Sequence, residues 1–408
     1  MTWVSIRPMF RRTVMGVNRG FESWNRPYLF QQLEDIMRGF SDSERRDVIS
    51  LGIGDPDIAT PIPIREAMAA EHLNRYHGYP SVEGRRELRE ALARYYEERF
   101  HVGADPTHFL IGPGAKTDLF DLPAVFSNPG DSALILDPAY PVYCDSCSFR
   151  GLRIHFLSGT YENAYLPPIP PSAEADPSVA LIFICYPNNP TGAIANHEYL
   201  DRMIEFALDR HAVIIHDIAY ADFTPGNKPS QGFSIFTRPG SDRCAIEVGS
   251  FSKPFSMTGD RIGWVYIRNS DLRAAWRRYR SNRDSGVSDF DQAGAVAALK
   301  DPAVKPIVQA NMEVYGRRAE LLEKGLTSLH LRPSGLANTP YAWFRSPIPD
   351  SRRATEIFLK EARVLVTPGA GFGPGGEGFL RATIFQPEAS ISEAISRLKQ
   401  LSCFEPER

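Results

Sequence analysis

The chain has 408 residues, of which 43% are hydrophobic and 23% are charged. This composition is typical of a folded, soluble protein of about two to three domains. Its 46 Lys and Arg residues nearly balance 49 Asp and Glu residues, which leaves a formal net charge of -3. The balance argues against a nucleic-acid-binding protein, because such proteins present a basic surface that attracts phosphates.

The first residues of the chain are basic, but they do not predict export or membrane insertion. Arg11 and Arg12 interrupt the apolar run that a secretory signal requires. The longest strongly apolar stretch, residues 179–185, is far shorter than the roughly 20 residues that span a bilayer. The five cysteines favour reduced thiols over a disulfide framework. We therefore expect a cytoplasmic protein whose N-terminal arm lies across another subunit.

Short β-branched apolar runs alternate with longer amphipathic segments through the middle of the chain. This alternation predicts a parallel sheet covered by helices. A helix is predicted over residues 196–209, where Asn196 is a suitable N-cap. The predicted strands, each bounded by turn residues, are residues 132–136, 180–185, 212–217, 245–250 and 262–267.

After about residue 270 the pattern changes to that of a smaller α+β domain. Residues 304–329 carry apolar side chains at the spacing of a long amphipathic helix. Strand-like runs follow at 341–344, 364–366 and 379–383, with helices predicted at 353–362 and near 391–401. We therefore expect an N-terminal arm and part of a small domain in residues 1–60, a large domain in 61–300, and the rest of the small domain in 301–408.

Lys253 follows a predicted buried strand, in the sequence Ser-Phe-Ser-Lys, and precedes Arg261. A lysine at a strand end, flanked by hydroxyl groups, can form a Schiff base with an aldehyde cofactor near a bound phosphate. The alternative is an ordinary solvated surface lysine.

Polar residues also follow the two preceding strands. Asn189 lies after one strand, and Asp217 and Tyr220 lie at the end of the next. Open α/β sheets bind ligands at the carboxyl ends of their strands. A carboxylate there can keep a pyridine nitrogen protonated, while an amide and a phenol can donate to a ring oxygen. The alternatives are a helix cap for Asp217 and a core aromatic for Tyr220.

Residues 112–117, Gly-Pro-Gly-Ala-Lys-Thr, form a glycine turn that leads into a predicted helix. Backbone N–H groups at such a turn can bind a phosphate, although the pattern is neither a Walker motif nor a Rossmann fingerprint. Cys144 and Cys147 form a single C-x-x-C without a second pair, so we predict buried helix residues and no metal site.

The Asn-Pro-Thr-Gly stretch at Asn189, the Asp-x-x-Tyr step at Asp217, the Ser-x-Ser-Lys sequence at Lys253 and the downstream Arg261 together resemble the class I/II aminotransferases. These enzymes belong to the fold-type I pyridoxal phosphate superfamily. The resemblance covers residues 51–383, and residues 114–118 are similar to the LL-diaminopimelate aminotransferase branch. It implies a mostly parallel central sheet with a smaller α+β domain, pyridoxal 5'-phosphate as cofactor, and ping-pong transfer of an amino group from an α-amino acid to a 2-oxo acid.

The resemblance also implies roles at the cofactor. Lys253 would bond to the aldehyde and later carry a proton at the substrate α-carbon, while Asp217 would pair with the ring nitrogen. Asn189 and Tyr220 would hydrogen-bond the ring oxygen. Tyr140 would stack on the ring. The residues that would hold the phosphate are Gly114, Ala115, Lys116, Ser250 and Arg261.

Further matches concern the substrate and a second subunit. Arg381 and Asn189 match residues that bind the substrate, with Arg381 gripping the α-carboxylate. A structural ion pair is the alternative for Arg381. Gly54 matches the glycine at the mouth of the site. Tyr79, or alternatively Tyr76, matches the tyrosine that reaches the phosphate of the neighbouring subunit, which implies a homodimer with shared sites.

The chain departs from the family pattern at Asp260, where members often carry an apolar or aromatic residue. We expect this acid to compete for the guanidinium of Arg261. The cofactor-binding residues do not separate transamination from lyase, decarboxylase, synthase or oxidase chemistry with the same cofactor. A non-catalytic regulator is a further alternative, against which the retained Lys253 argues. The branch likeness suggests a polar, basic or dicarboxylic amino acid as substrate.

Overall fold

The computed structural model describes residues 37–74, 77–227 and 234–404. The strands, numbered in chain order, are β1 Ile49–Ser50, β2 Phe109–Gly112, β3 Ser132–Asp137, β4 Arg153–Ser158, β5 Val179–Cys185, β6 Val213–Asp217, β7 Ala245–Ser250, β8 Gly263–Tyr266, β9 Tyr341–Arg345, β10 Val364–Leu365, β11 Thr367–Pro368 and β12 Phe379–Thr383. The α-helices are α1 Asp42–Asp47, α2 Ile62–His72, α3 Arg86–Phe100, α4 Ala115–Asp121, α5 Pro123–Phe126, α6 Val142–Phe149, α7 His197–Arg210, α8 Ser241–Cys244, α9 Ser270–Arg283, α10 Asp289–Lys300, α11 Val304–Ser328, α12 Ser351–Ala362 and α13 Glu388–Leu398.

Seven strands form the central sheet, in the order β2, β8, β7, β6, β5, β3 and β4. The five strands from β7 to β4 pair in parallel, whereas β8 runs antiparallel to both of its neighbours. The predicted strands lie at the predicted places, so the prediction of a mostly parallel α/β sheet is confirmed. The sequence pattern does not predict β2 or β4.

The central strands are buried on both faces, which explains their continuous apolar runs. Because side chains alternate along a strand, Ile182 and Ile184 of β5 pack into one core, while Leu181 and Phe183 pack into the other. Helix α7 covers the first of these cores. It begins at His197, and Asn196 is its N-cap as predicted, because the Asn196 side chain accepts a hydrogen bond from the Tyr199 N–H at 2.8 Å.

A second, three-stranded antiparallel sheet has the order β11, β12, β9. Together with α11, α12 and α13 it encloses a separate core, as the α+β pattern after residue 270 predicts. Leu51 packs into this core beside residues near the other end of the chain, such as Phe358 and Leu380. Within the described residues, no helix has the length and apolar character needed to cross a membrane.

Strands β5, β6 and β7 end side by side, because Cys185 pairs with Asp217 and Asp217 pairs with Val248. The segments that follow these strands therefore leave the sheet at one edge. Arg381 of β12 reaches this edge and donates a hydrogen bond to Asn189 at 2.9 Å. The two sheets thus meet where the predicted site residues lie.

Candidate active site

A cleft of about 270 Å³ opens at this edge. Most of the residues predicted from the sequence line it: Gly54, Ala115, Lys116, Tyr140, Asn189, Asp217, Tyr220, Ser250, Lys253, Arg261 and Arg381. Gly114 lies directly beside Arg261, since a Cβ at position 114 would be 2.8 Å from the Arg261 Nη2. Tyr79 is 94% exposed and does not line the cleft of its own chain. The alternative, Tyr76, lies outside the described residues.

Asp217 is the last residue of β6, and its carboxylate is buried. The Tyr143 hydroxyl donates to Oδ2 at 2.7 Å, and the Ala219 N–H donates to Oδ1 at 2.9 Å. Burial raises the pKa of Asp217, and these two hydrogen bonds oppose the rise. A protonated ring nitrogen next to this carboxylate would supply the counter-charge that burial makes favourable.

Lys253 lies just beyond the end of β7, and its Nζ donates to the Gly54 carbonyl at 2.5 Å. Burial lowers the pKa of the Lys253 amine. A lowered pKa increases the fraction of neutral amine, which is the form that attacks an aldehyde or accepts a proton. The local environment therefore suits a Schiff-base lysine better than a surface lysine.

One corner of the cleft suits an anion. Arg261 lies against the Gly114 turn and donates from Nη1 to the Thr258 carbonyl at 2.8 Å. Gly263 allows β8 to approach this turn, because a Cβ there would lie 3.1 Å from the Ala115 nitrogen. Ser250, at the end of β7, completes the corner. A guanidinium, a hydroxyl and backbone N–H groups together match a phosphate.

The expected competition between Asp260 and Arg261 is not seen in the described part of the chain. Asp260 forms no ion pair with Arg261 there, and the Arg261 guanidinium donates instead to the Thr258 carbonyl. Burial raises the pKa of Asp260. Arg261 has a positive φ of 53°, which lies in the left-handed region.

Arg381 is almost fully buried, with 1% of its surface exposed. Its Nη1 donates to the Asn189 Oδ1 at 2.9 Å, and its Nη2 donates to the Gly52 carbonyl at 2.9 Å. The guanidinium lies 4.0 Å from the centre of the Tyr341 ring. Because the Asn189 oxygen accepts from Arg381, the Asn189 NH2 group is the part that can donate to a ring oxygen.

Two residues that sequence reasoning missed support this site. Tyr143 holds Asp217, and the Tyr341 hydroxyl lies 3.0 Å from the Tyr220 hydroxyl. Tyr341 opens the strand-like run predicted at 341–344, but spacing along the chain gives no signal that it reaches residue 220. Tyr143 lies in the first turn of α6, and spacing along the chain likewise gives no signal that it reaches Asp217.

Cys144 and Cys147 lie on α6, where Cys147 is buried and Cys144 is half-buried. All five cysteines are free thiols. The described parts of the chain contain no group of three or more His, Cys, Asp or Glu side chains arranged to hold a metal ion.

A mostly parallel sheet that brings a lysine, a buried carboxylate and an anion corner to one edge defines a fold-type I pyridoxal phosphate enzyme. Residues 46–398 match the family Aminotransferase class I and II, and the chain therefore belongs to the class I and II aminotransferases. The predicted fold, cofactor and aminotransferase function are confirmed.

The chain is similar to several known aminotransferases. It is 35% identical over 382 residues to LL-diaminopimelate aminotransferase of Syntrophobacter fumaroxidans, and the match covers 92% of this chain and 96% of that protein. The solved structure of L,L-diaminopimelate aminotransferase from Chlamydomonas reinhardtii matches with a TM-score of 0.83 and 30% identity, over 95% of this chain and 99% of that one. Aspartate aminotransferase from Thermus thermophilus with maleate matches with a TM-score of 0.84 and 25% identity, over 94% and 99%.

Proposed function

We propose that this aminotransferase acts on amino acids with a second charged group at the far end of the side chain, and that LL-diaminopimelate is the first substrate to test. The observation that carries this proposal is a single cleft that holds Lys253, Asp217 and Arg381 together with a further cation, Lys116. A substrate with two carboxylates has a partner for one in Arg381 and meets positive charge elsewhere in the cleft. The similarity to LL-diaminopimelate aminotransferases supports the same substrate class.

The residues of the cleft fit the cofactor. Pyridoxal phosphate, when bound, supplies an electron sink for negative charge at the substrate α-carbon. Asp217 would hold the ring nitrogen, and Asn189 and Tyr220 would donate to the ring oxygen. Tyr140 would cover one face of the ring. The phosphate would lie among Gly114, the backbone of Ala115 and Lys116, Ser250 and Arg261.

Lys253 is the proton carrier in this proposal. Burial lowers the pKa of its amine and so increases the neutral fraction of Nζ, which can then accept the substrate α-proton and later give it back. The Gly54 carbonyl, 2.5 Å from Nζ, holds the amine at the mouth of the cleft. Amino donor and oxo acid use the same residues in turn, which is the basis of a ping-pong mechanism.

Arg381 binds the substrate α-carboxylate in this proposal. Asn189, the Gly52 carbonyl and the Tyr341 ring hold the guanidinium in one plane before substrate arrives. A planar, preorganised guanidinium matches a carboxylate through two hydrogen bonds and loses little entropy on binding.

The assembly and location are also part of the proposal. The exposed Tyr79 supports a homodimer in which it reaches the partner's phosphate site, because it does not line its own cleft.

The division into residues 1–60, 61–300 and 301–408 is supported by the separate core around α11 to α13. The free thiols support a cytoplasmic location.

The test is the isolated first half of the reaction. The holoenzyme is mixed with single amino donors, without an oxo acid, and conversion of the cofactor from its aldehyde to its amine form is followed by absorbance. The panel contains LL-diaminopimelate, lysine, glutamate, aspartate, phenylalanine and alanine. We expect kcat/KM for LL-diaminopimelate to exceed that for alanine or phenylalanine by at least about tenfold, because the second charged group gains partners. 2-Oxoglutarate and pyruvate are then compared as acceptors.

Two outcomes contradict different parts of the proposal. Preference for phenylalanine or alanine would show that the proposed substrate class is wrong. A cofactor that binds to Lys253 but is not converted by any donor, and is not restored by any oxo acid, would contradict transamination and favour another chemistry on the same cofactor.

A further inference from the structure

Tyr341, the first residue of β9, is buried and lines the cleft, yet no role follows for it from the sequence. Its ring lies 4.0 Å from the Arg381 guanidinium carbon, and its hydroxyl lies 3.0 Å from that of Tyr220. We propose that Tyr341 is a positioning residue that links the carboxylate-binding Arg381 to the Tyr220 hydroxyl at the cofactor. This inference rests on the proposed roles of Arg381 and Tyr220.

The ring of Tyr341 fixes the plane of Arg381. A guanidinium that lies over an aromatic face is attracted to it, and the attraction is stronger where water is excluded. Arg381 has 1% of its surface exposed, so the contact is dry. Phe372 also contacts the guanidinium, at 4.9 Å, but it does not line the cleft, whereas Tyr341 lines the cleft and reaches Tyr220.

The hydroxyl of Tyr341 orients Tyr220. When Tyr341 donates to the Tyr220 oxygen, the hydrogen of Tyr220 is left to donate to the cofactor ring oxygen. Hydrogen bonds in such a chain polarise one another, so Tyr220 becomes a stronger donor. The two rings meet edge to face, with centroids 5.5 Å apart and planes at 68°, which restricts rotation of both phenols.

Tyr341 also shapes the surroundings of Lys253. A Cβ at Gly54 would lie 2.1 Å from the Tyr341 hydroxyl. Only glycine at position 54 therefore lets the backbone run close enough to Tyr341 for the Gly54 carbonyl to accept a hydrogen bond from the Lys253 amine. The charged and titratable groups that act on Lys253 include Tyr341, Asp55, Arg381 and Arg261. Those that act on Tyr220 are Tyr341, Arg381 and Asp217.

Two variants separate the hydroxyl from the ring. Tyr341→Phe removes the hydroxyl and keeps the ring, whereas Tyr341→Leu removes both. Tyr96→Phe is the matched control, because the Tyr96 hydroxyl is equally buried and accepts a hydrogen bond from Trp264 at 3.1 Å without lining the cleft. The readouts are the pKa of the cofactor chromophore at Lys253, from a spectrophotometric pH titration, and the affinity for glutarate, a non-reacting dicarboxylate, from calorimetry.

We expect Tyr341→Phe to raise the chromophore pKa by about 0.5 to 1 unit, because a weaker donor at the ring oxygen leaves more electron density on the linked nitrogen. Its kcat falls roughly fivefold to tenfold while KM for the amino donor stays within about twofold. Tyr341→Leu also weakens glutarate binding by about tenfold, because the cation–π contact is lost. Tyr96→Phe changes neither readout.

An unchanged chromophore pKa in Tyr341→Phe, or wild-type glutarate affinity in Tyr341→Leu, would overturn the link. If Tyr341→Leu does not fold, the pKa of Tyr341→Phe still decides. Failure of the proposed function is distinguishable from failure of this inference. In that case the wild-type protein would form no chromophore at Lys253, or would not react with amino donors. The inference would then be wrong together with the proposed function.

Discussion

Asp217 depends on a neighbour that spacing along the chain does not reveal. Tyr143 and Asp217 are 74 positions apart, yet the hydroxyl of one donates to the carboxylate of the other at 2.7 Å. Burial raises the pKa of Tyr143 well above its ordinary value, so the phenol stays protonated and remains a donor at all relevant pH values. The carboxylate is thereby held by a neutral hydrogen-bond donor.

Replacing Tyr143 tests this support. Tyr143→Phe removes one hydrogen bond to a buried carboxylate, a loss of about 1.5 kcal/mol, so we expect the cofactor dissociation constant to rise roughly tenfold. The measurement is titration of the cofactor-free protein with pyridoxal phosphate. Cofactor affinity equal to that of the wild type would show that Ala219 alone holds the carboxylate.

At the scale of elements, the segment after β1 must pass close to Tyr341 of β9. A Cβ at Gly54 would lie 2.1 Å from the Tyr341 hydroxyl, so Gly54→Ala forces one of the two segments to move. Because the Gly54 carbonyl accepts from Lys253, we expect kcat/KM to fall by about 100-fold. Gly103→Ala is the control, since no atom lies within 4 Å of an added Cβ there and activity should be unchanged.

The end of β3 is held against the glycine-rich segment before β12. Asp137 has 2% of its surface exposed, and its Oδ2 accepts from the Gly375 N–H at 2.7 Å. Next to it, the Ala139 N–H donates to the Phe372 carbonyl at 2.7 Å. Burial raises the pKa of Asp137 to about 6. The carboxylate therefore connects the end of β3 to the segment before β12. The free-energy cost of burying its charged form depends on pH.

This pKa predicts a pH dependence of stability. The folded pKa lies above the ordinary value of 3.8, so the folded protein binds the proton more tightly than the unfolded chain. The stability that this tighter proton binding contributes is fully present below about pH 4 and is lost as the pH rises through about 6. Asp137→Asn does not titrate, so its free energy of unfolding minus that of the wild type should be about 1.4 kcal/mol larger at about pH 7.5 than at about pH 5.

Urea denaturation of the cofactor-free protein at both pH values measures this difference. The exposed Asp242→Asn is the control and should show no such change. A difference between Asp137→Asn and wild type that is the same at both pH values would contradict the predicted titration.

The elements differ in how much the sequence reveals. Strands β3, β5, β6, β7 and β8 are predictable, because burial on both faces requires continuous apolar runs. β4 is not, because it is an edge strand with exposed Arg153 and Ser158 and shows no such run. The site residues at strand ends follow from motif order, whereas Tyr143 and Tyr341 depend on packing between segments 74 and 121 positions apart.

At the scale of the whole molecule, the proposed sharing of sites between subunits predicts that two inactive variants restore activity in a mixed dimer. In a mixed dimer of Lys253→Ala and Tyr79→Ala chains, the cleft of the second chain keeps its own lysine and receives the intact Tyr79 of the first. We expect each variant alone to be poorly active at limiting cofactor, and a refolded equal mixture to recover about a quarter of wild-type activity, as random pairing requires.

As a control, a different exposed tyrosine is replaced by alanine. Tyr161 is 62% exposed, and Tyr161→Ala should be active without mixing. Absence of recovery in the mixture, with mixed dimers verified by mass, would show that Tyr79 does not act across subunits.

The antiparallel direction of β8 determines where the two proposed cofactor anchors, Lys253 and Arg261, lie. Because β8 runs antiparallel to β7, the connection between them is a hairpin that stays at one end of the sheet, and it carries both Lys253 and Arg261. A parallel crossover would have returned to the opposite end, roughly 20 Å away for a strand of this length. The proposed covalent anchor and the proposed ionic anchor therefore lie on one connection, and we predict that this connection opens and closes as one unit. Hydrogen exchange across residues 251–262 should slow as one block when the cofactor is loaded.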